Sequence, residues 1–358
     1  MKILFISRAY PPSAGGIENQ NYKLSIWLSR SAQTTVIVNK LGKIFLPVFI
    51  PYSFIRSLIL QAIVKYDVII LGDGVLSVLG WALKLFMRTP VICIVHGLDI
   101  TYKGPLYQRL WVGVFLKKVD KLMAVSNATI KAGTERGIAP DKFVFIPNGV
   151  DSGDFDGIYG KKELAAIIGD GPAGKKVLLS LGRLIKRKGV SWFIRNVMQK
   201  LDEGTVYVIA GSGPDEKEIR RAAADTGLGS RITLLGRISE ADKKVLLNTC
   251  DIFIQPNIKI DGDMEGFGIS VLEAACCGKP VIASKLEGLQ DAIKDGINGF
   301  FVEPLDQEGF AGRIKELLGD EQGRAEAGER AKAYVIENCN WQKISGIYLD
   351  AAGGILRH

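Results

Sequence analysis

Glu265 and Glu273 stand eight residues apart, on either side of Gly266-Phe267-Gly268, in the stretch DGDMEGFGISVLEAACCGKP (261–280). An ionised carboxylate accepts hydrogen bonds on both oxygens and so can hold a pair of neighbouring hydroxyls. A helix that begins near Gly268 leaves the N–H groups of Gly268, Ile269 and Ser270 without intrahelical partners, which suits a phosphate. The spacing therefore brackets an anion site with an acid at each end. Glu273, one turn inside the helix, suits a ribose, and Glu265, before the turn, suits a second sugar; local capping or pairing of Glu273 is the alternative. Upstream, SLGRLIKRKG (180–189) places Arg183 just after an apolar run and Lys188 five residues later. A guanidinium fork and an ammonium point charge converging on one spot suit a diphosphate. Lys186 and Arg187 between them read as solvated.

His96, in VHGLD (95–99), is the only histidine besides the C-terminal residue. Without a second histidine a metal role is disfavoured; a hydrogen bond to a substrate hydroxyl, or a structural role, remains. Asp261-Gly262-Asp263 resembles a metal-binding triplet. Because Arg183, Lys188 and helix amides can already neutralise a diphosphate, it reads as a solvated loop, and no metal site is expected. Gly15 and Gly16 in PPSAGGIE (11–18) permit positive φ and close backbone approach to an anion, or form a plain tight turn. Gly211 and Gly213 in VIAGSGPD (208–215) form a second glycine turn able to sit near a nucleotide. Backbone groups at Arg237 and Ile238, in LLGRISEAD (234–242), can read a nucleobase edge. No glycine stretch has the G-x-G-x-x-G spacing, so a dehydrogenase is disfavoured.

These residues follow short, continuous apolar runs, the pattern of parallel strands buried on both faces. Six such runs lie in the first half (KILFIS, TTVIVN, DVIILG, PVICIVH, KLMAVS, KFVFIPNG) and six in the second (KVLLSLG, TVYVIAG, RITLLG, DIFIQP, PVIAS, GFFV). Helix-length segments such as NQNYKLSIWLSR, EKEIRRAAADTG and ISVLEAACCG alternate with them. The expectation is an α/β chain of two Rossmann-like, doubly wound domains in series, with the site residues at strand carboxyl ends. PNGVDSGDFDGIYG (147–160) marks the linker. Residues 1–155 form the first domain, 156–340 the second, and 341–358 a final amphipathic helix.

The composition is 47% apolar and 23% charged, as in a soluble globular protein. The five cysteines lack metal-ligand spacing and suit a reducing, intracellular setting. MKILFISRAYPP reads as a first strand rather than a secretory leader. The net charge of +8 is uneven: residues 1–150 hold 18 Lys/Arg against 7 Asp/Glu, and the rest 28 against 31. A basic first half suggests an anionic partner. No RNA-binding signature or zinc knuckle is present, so nucleic acid is the weaker reading. KIFLPVFIPYSFIRSLILQAIVKY (43–66) is apolar with scattered cations, and WALKLFMR (81–88) can extend it. Pro47, Pro51 and Arg56 argue against a spanning helix and suit a segment lying on an anionic bilayer surface. Ordinary core-facing helices are the alternative.

In their order, PPSAGG, PNGVD, GRLIKRKG, GSGP and EGFGISVLEAACCGKPVIA resemble the GT-B-fold retaining glycosyltransferases of family 4 (glycosyl transferases group 1) over nearly the whole chain. The resemblance implies two Rossmann-like domains facing across a cleft, with the helix near Trp341–Ala352 crossing back to the first, acceptor-binding domain. It implies that Arg183 and Lys188 bind the donor diphosphate and Glu273 the ribose. Glu265 and backbone groups of Phe267 and Gly268 would hold the transferred sugar, His96 would touch its hydroxyls, and Gly15–Gly16 would border the phosphates and acceptor. The implied reaction moves a hexose from a nucleotide-diphosphate sugar to an acceptor hydroxyl with retained anomeric configuration, without metal or other cofactor. DMEGFG leans toward GDP-mannose, with UDP-sugars open. With the apolar, basic first half, the expected acceptor is a lipid-linked glycan or glycolipid of cell-envelope polysaccharide synthesis. The expected location is cytoplasmic, peripheral on the inner face of the plasma membrane. A sugar-nucleotide epimerase is disfavoured by the single internal histidine. A nonenzymatic nucleotide-sugar-binding membrane-surface protein has no reason to keep both glutamates and both cations.

Overall fold

The computed structural model describes residues 1–13 and 15–356. It divides into two compact units, one of residues 1–149, 262–267 and 341 onward, the other of 150–261 and 268–340. Residues 262–267, expected within the second domain, thus group with the first.

The first unit is built on β1 (Lys2–Ser7), β2 (Gln33–Val38), β3 (Val68–Leu71), β4 (Val91–Val95), β5 (Lys121–Ala124) and β6 (Phe143–Phe145). Their order in the sheet is β2-β1-β3-β4-β5-β6, and every pairing is parallel. Lys2–Ser7 register against Gln33–Val38, and Ile3–Ile6 against Val68–Leu71. Ile3, Leu4, Phe5 and Ile6 are all buried, as are all four residues of β3, which is why these strands read as unbroken apolar runs. The helices α1 (Gly16–Ser31), α2 (Leu46–Val64) and α3 (Ser77–Lys84) belong to this unit. The C-terminal helix Trp341–Ile355 packs on α1. At its start, a Cβ on Gly149 would come within 2.6 Å of the Trp341 ring, so glycine is needed there. Arg357 and His358, in the expected final segment, lie outside the described residues.

The second unit carries β7 (Lys176–Leu181), β8 (Thr205–Ala210), β9 (Ile232–Gly236), β10 (Ile252–Gln255), β11 (Val281–Ser284) and β12 (Phe300–Val302). The order is β12-β11-β10-β7-β8-β9, again wholly parallel. Its core joins Leu178, Tyr207, Ile209, Ile252 and Ile282 to Phe193 and Phe310 from the covering helices. Each sheet has one topological switch point, where chain order reverses: between β1 and β3 in the first, and between β7 and β10 in the second. Open parallel sheets bind ligands outside the strand carboxyl ends at that point.

The apolar stretch after β2 forms one continuous helix. Pro47 sits in the first turn of α2, where a missing N–H costs nothing, and Pro51 lies inside it. The face of α2 turned into the unit carries Phe49, Ser53 and Ser57, all buried, with Ser57 Oγ donating to the Ser53 carbonyl at 2.6 Å. The outer face is largely apolar: Ile44 just before the helix and Val48, Tyr52, Ile55, Ile59 and Ile63 within it are at least 50% exposed. Leu46, Ile50, Phe54, Leu58 and Val64 also pack against the unit's core, so α2 is apolar on its inner face as well as its outer one, unlike an ordinary amphipathic helix.

Candidate active site

The second unit's switch point holds the cationic pair. Arg183 and Lys188 line one small pocket with Ser180, Gln255 and Pro256, so the structure brings both expected phosphate ligands to the ends of β7 and β10. Arg183 is exposed and Lys188, on the single turn Lys186–Lys188, is half-buried. Arg187 is half-buried rather than solvated, and its carbonyl accepts from Ile258 N–H at 2.8 Å. Gly189 closes the turn at φ 66, and a Cβ there would stand 1.9 Å from the Pro256 carbonyl oxygen, so the β7 loop can lie on the β10 loop only with glycine.

Gly211 and Gly213 have a packing explanation. A Cβ on Gly211 would meet the Gly182 carbonyl oxygen at 1.8 Å and one on Gly213 the Leu184 carbonyl oxygen at 2.1 Å. These glycines press the β8 turn onto the backbone that carries Arg183, and Leu184 N–H donates to the Ser212 carbonyl at 3.0 Å. Arg237 and Ile238 follow β9, exposed and half-buried respectively, and lead through an N-cap at Ser239 into the helix Glu240–Thr249.

Gly268 caps the helix Ile269–Cys276 in the left-handed region, φ 92, so the helix starts at the position expected from the sequence. Glu273 is buried one turn inside it. Its Oε1 accepts from Lys243 Nζ at 2.7 Å, an ion pair whose side chains are only 7% and 13% exposed. Burial alone would lower the Lys243 pKa, but the Glu273 carboxylate outweighs it, and the result is raised. A lysine held above its ordinary value, near 10.4, contributes its full stability below that value and loses it only as pH rises beyond. The pair is therefore intact at neutral pH. Lys243 was not foreseen; it lies 30 residues from Glu273 on another helix, and no local spacing reports it.

The first unit's switch point carries a buried polar cluster. Directly after β1, Arg8 Nε donates to Asp73 Oδ1 at 2.9 Å, and Val75 N–H donates to the same oxygen at 2.9 Å. Asp73 is fully buried and its Oδ2 has no hydrogen-bond partner. Burial raises the Asp73 pKa against the opposing pull of Arg8. Asp99 Oδ2 accepts from Gly74 N–H at 2.9 Å and His96 N–H at 3.2 Å, fixing the turn after β4. His96, buried, has Nε2 3.0 Å from the Gly72 carbonyl. A carbonyl only accepts, so Nε2 carries the proton, and on a neutral ring Nδ1 is left as an acceptor for a hydroxyl. Arg8, Asp73 and Asp99 were missed, although each falls within four residues of a strand end, and the rule that found His96 would have found them.

Gly97, at φ 94, lies against Met264, and a Cβ on Gly266 would stand 2.2 Å from the His96 carbonyl oxygen. The segment 262–267 is thus laid directly on the His96 turn. This places buried Glu265 and Phe267 in the unit that holds His96, while Gly268, Ile269 and Glu273 belong to the other. In the Asp261–Asp263 triplet, Asp261 is exposed and Asp263 half-buried, and the Lys103 side chain packs over Gly262. The N-terminal glycines differ from expectation. Gly15 has φ 164, extended backbone open to any residue, and Gly16 simply begins α1, so no positive φ is used there. Burial pushes the Cys250 and Cys276 thiols up to about 12, so neither is a nucleophile at neutral pH.

Two all-parallel six-stranded sheets, each with chemistry-bearing residues at its switch point, define the GT-B class. Residues 12–153 match the family model Glycosyltransferase Family 4 and residues 167–334 match Glycosyl transferases group 1. The chain belongs to this glycosyltransferase family. Among similar proteins is the putative colanic acid biosynthesis glycosyltransferase WcaL of Salmonella typhimurium, 27% identical over 81% of this chain and 73% of its own. Another is the GDP-mannose-dependent monoacylated α-(1-6)-phosphatidylinositol monomannoside mannosyltransferase of Corynebacterium glutamicum, 28% identical over 75% of this chain and 71% of its own. The crystal structure of Anabaena Alr3699/HepE in complex with UDP-glucose shares the fold at TM-score 0.81 and 20% identity, over 99% of this chain and 100% of that one.

Proposed function

We propose that the enzyme is a retaining hexosyltransferase. It takes a hexose from GDP-mannose or a UDP-sugar to a hydroxyl of a lipid-linked glycan or glycolipid in cell-envelope polysaccharide synthesis, at the cytoplasmic face of the plasma membrane. The observation that carries the donor half is the meeting of Arg183 and Lys188 at the β7/β10 switch point. Relatives that use GDP-mannose and a fold neighbour solved with UDP-glucose keep both nucleotides in play.

In this reading Arg183 and Lys188 hold the diphosphate, assisted by the open amides at Ile269 and Ser270. Glu273 accepts from the ribose hydroxyls. Glu265, His96 and backbone groups of Phe267 and Gly268 hold the hexose. The bond from the anomeric carbon to the β-phosphate oxygen breaks and the bond to the acceptor oxygen forms on the same face. The acceptor's proton passes to the departing phosphate oxygen, so no protein nucleophile takes part. Catalysis rests on positioning and on stabilising the leaving diphosphate. The two cations supply the charge a metal would, so turnover is expected to be independent of metal.

The test is a turnover screen with UDP- and GDP-hexoses, with and without EDTA, with the product anomer read by NMR. One nucleotide class with retained configuration and indifference to chelator is expected; inversion, or no donor accepted, sinks the reading. Lys243→Met gives a second check on Glu273. Wild type should bind a nucleoside diphosphate about 10-fold more tightly than its 2′-deoxy form, as a charged hydrogen bond of about 1.5 kcal/mol implies. The variant should lose most of that preference. Unchanged ribose discrimination would remove Lys243 and Glu273 from the ribose site.

The exposed apolar face of α2 supports the membrane half. Its exposed aliphatic stripe, roughly 28 Å long at 1.5 Å per residue, has Arg56 as its exposed charge and no acid between residues 43 and 66. Such a face lies in the headgroup boundary of an anionic bilayer. Ile55→Glu/Ile59→Glu should abolish co-flotation with phosphatidylglycerol-containing liposomes, while wild type floats with these and not with neutral ones. Flotation of the variant, or indifference of wild type to lipid charge, counts against this.

A further inference from the structure

Arg8 follows β1 at the first unit's switch point and holds most of its hydrogen-bond donors in reserve. Its side chain is only 18% exposed. Nε donates to Asp73 Oδ1 at 2.9 Å, an oxygen that the Val75 N–H also holds, so the guanidinium is anchored to the end of β3. An arginine carries five N–H donors, and this bond uses one of them. Among the described residues, Nη1 and Nη2 have no hydrogen-bond partner, yet neither is sealed from solvent. Two more deeply buried arginines are completed internally. Arg231 gives Nη2 to the Leu201 and Asp202 carbonyls at 3.1 and 2.8 Å. Arg324 gives Nη1 to the Leu317 carbonyl at 3.1 Å and turns Nη2 to Asp251 at 3.4 Å. Donors drawn largely out of water without a partner are a standing cost, and a ligand oxygen placed on them removes it.

The charges around Arg8 say which oxygen. Asp73, Asp99 and His96 are the groups that act on one another at this corner with Arg8. With His96 neutral, they sum to one negative charge if Asp73 is ionised and to none if it holds a proton. A phosphate or carboxylate therefore finds no net positive charge here. The pair Arg183 and Lys188 is the opposite case, since the residues lining their pocket include no acid. A hydroxyl needs no net charge. Its oxygen accepts from Nη, and its own proton can go to an acceptor such as the open Nδ1 of His96. In the sheet, β3 lies between β1 and β4, so the strand ends that carry Arg8 and His96 are roughly 10 Å apart. With the transferred hexose at His96, the β1 side is left to the other sugar of the reaction.

We infer that the terminal nitrogens of Arg8 hold a hydroxyl oxygen of the acceptor's sugar, and that this sugar is uncharged. The inference rests on the glycosyl transfer proposed above and gives the acceptor a contact residue on the protein. Asp73 is then a positioning residue, which orients the guanidinium and cancels its charge.

The probes are the methyl glycosides of mannose, glucose and galactose, each compared with its 6-carboxylate, titrated without nucleotide and read by saturation-transfer NMR. At least one neutral glycoside should bind wild type about 10-fold more tightly than its carboxylate. Arg8→Lys keeps a cation beside Asp73 and removes the terminal nitrogens. It should weaken that glycoside by about 10-fold, the loss of one charge-assisted hydrogen bond. Arg8→Met/Asp73→Leu, which removes both charges, should weaken it as much. Both variants should keep the wild-type urea midpoint and the wild-type response to UDP and GDP. Variants that bind the glycoside as wild type does would reduce Arg8 to the counter-charge of Asp73 and overturn the inference. Tighter binding of the carboxylates, or no binding of any neutral glycoside, overturns it as well. Loss of nucleotide binding in Arg8→Lys would place the guanidinium on the donor and overturn it too. The sugar titrations contain no nucleotide, so a failed donor reading and a failed Arg8 reading are separable.

Discussion

Lys188→Ala is expected to lower kcat at saturating donor by at least about 100-fold, with the thermal unfolding midpoint of the apo protein nearly unchanged. The size follows from the site. Lys188 is a half-buried cation beside Arg183 in a pocket between two strand ends, so its charge acts in a medium less screening than water. In the proposed reaction, negative charge on the leaving diphosphate grows as the glycosidic bond breaks, and a positioned cation stabilises that state more than the ground state. Loss of one such contact costs about 2.7–4 kcal/mol elsewhere. Arg183→Ala should fall in the same range, and the double variant should lose less than the product of the two, because both act on one leaving group. Lys186→Ala, at an exposed neighbour on the same turn, should stay within a few-fold of wild type. Equal losses from Lys186 and Lys188 would show that only general positive charge matters there.

The second large effect is on stability. Asp73→Ala should destabilise the first unit by about 3–5 kcal/mol, because it leaves the Arg8 guanidinium, 18% exposed, without its counter-charge. The cost belongs to the orphaned partner rather than to the net worth of the pair. Arg8→Met/Asp73→Leu, which removes both charges and keeps volume, should recover most of the loss. Urea unfolding followed by Trp27, Trp81, Trp111 and Trp341, all in the first unit, reads that unit selectively; Trp192 reports from the other and should be replaced by Phe in the background. If the single variant unfolds at the wild-type midpoint, the pair is not a keystone of the switch point. If the double variant is as unstable as the single, the cost lies in packing rather than in an unpaired charge.

The strands were legible because their function and their pattern coincide. β1, β3, β4, β8, β10 and β11 are buried on both faces, so the sequence cannot avoid writing them as apolar runs, and all twelve runs correspond to strands. The expected sixth strand, 142–149, shortens to Phe143–Phe145, because the segment beyond leaves the sheet toward the linker. Arg183, Lys188 and His96 could be placed because each follows such a run, and Glu273 because the glycines before it mark the start of its helix. What was not legible is what depends on distance in space. Arg8 and Asp73 are 65 residues apart, and Lys243 and Glu273 are 30 apart; each member alone is an ordinary polar residue. The glycines at 211 and 213 suggested a ligand, but the atoms a side chain would strike are carbonyls of the neighbouring loop. In α2 the apolar content was plain, but that Ile55, Ile59 and Ile63 stay exposed while Ser53 and Ser57 are buried was not.

The most direct test of the central claim is calorimetric titration of UDP and of GDP into the wild-type protein and into Arg183→Ala and Lys188→Ala. The account predicts that one of the two nucleotides binds wild type with a measurable Kd and that each variant weakens it by at least about 10-fold, the loss of one charge-assisted contact. Wild type that binds neither nucleotide, or variants that bind as wild type does, would contradict it.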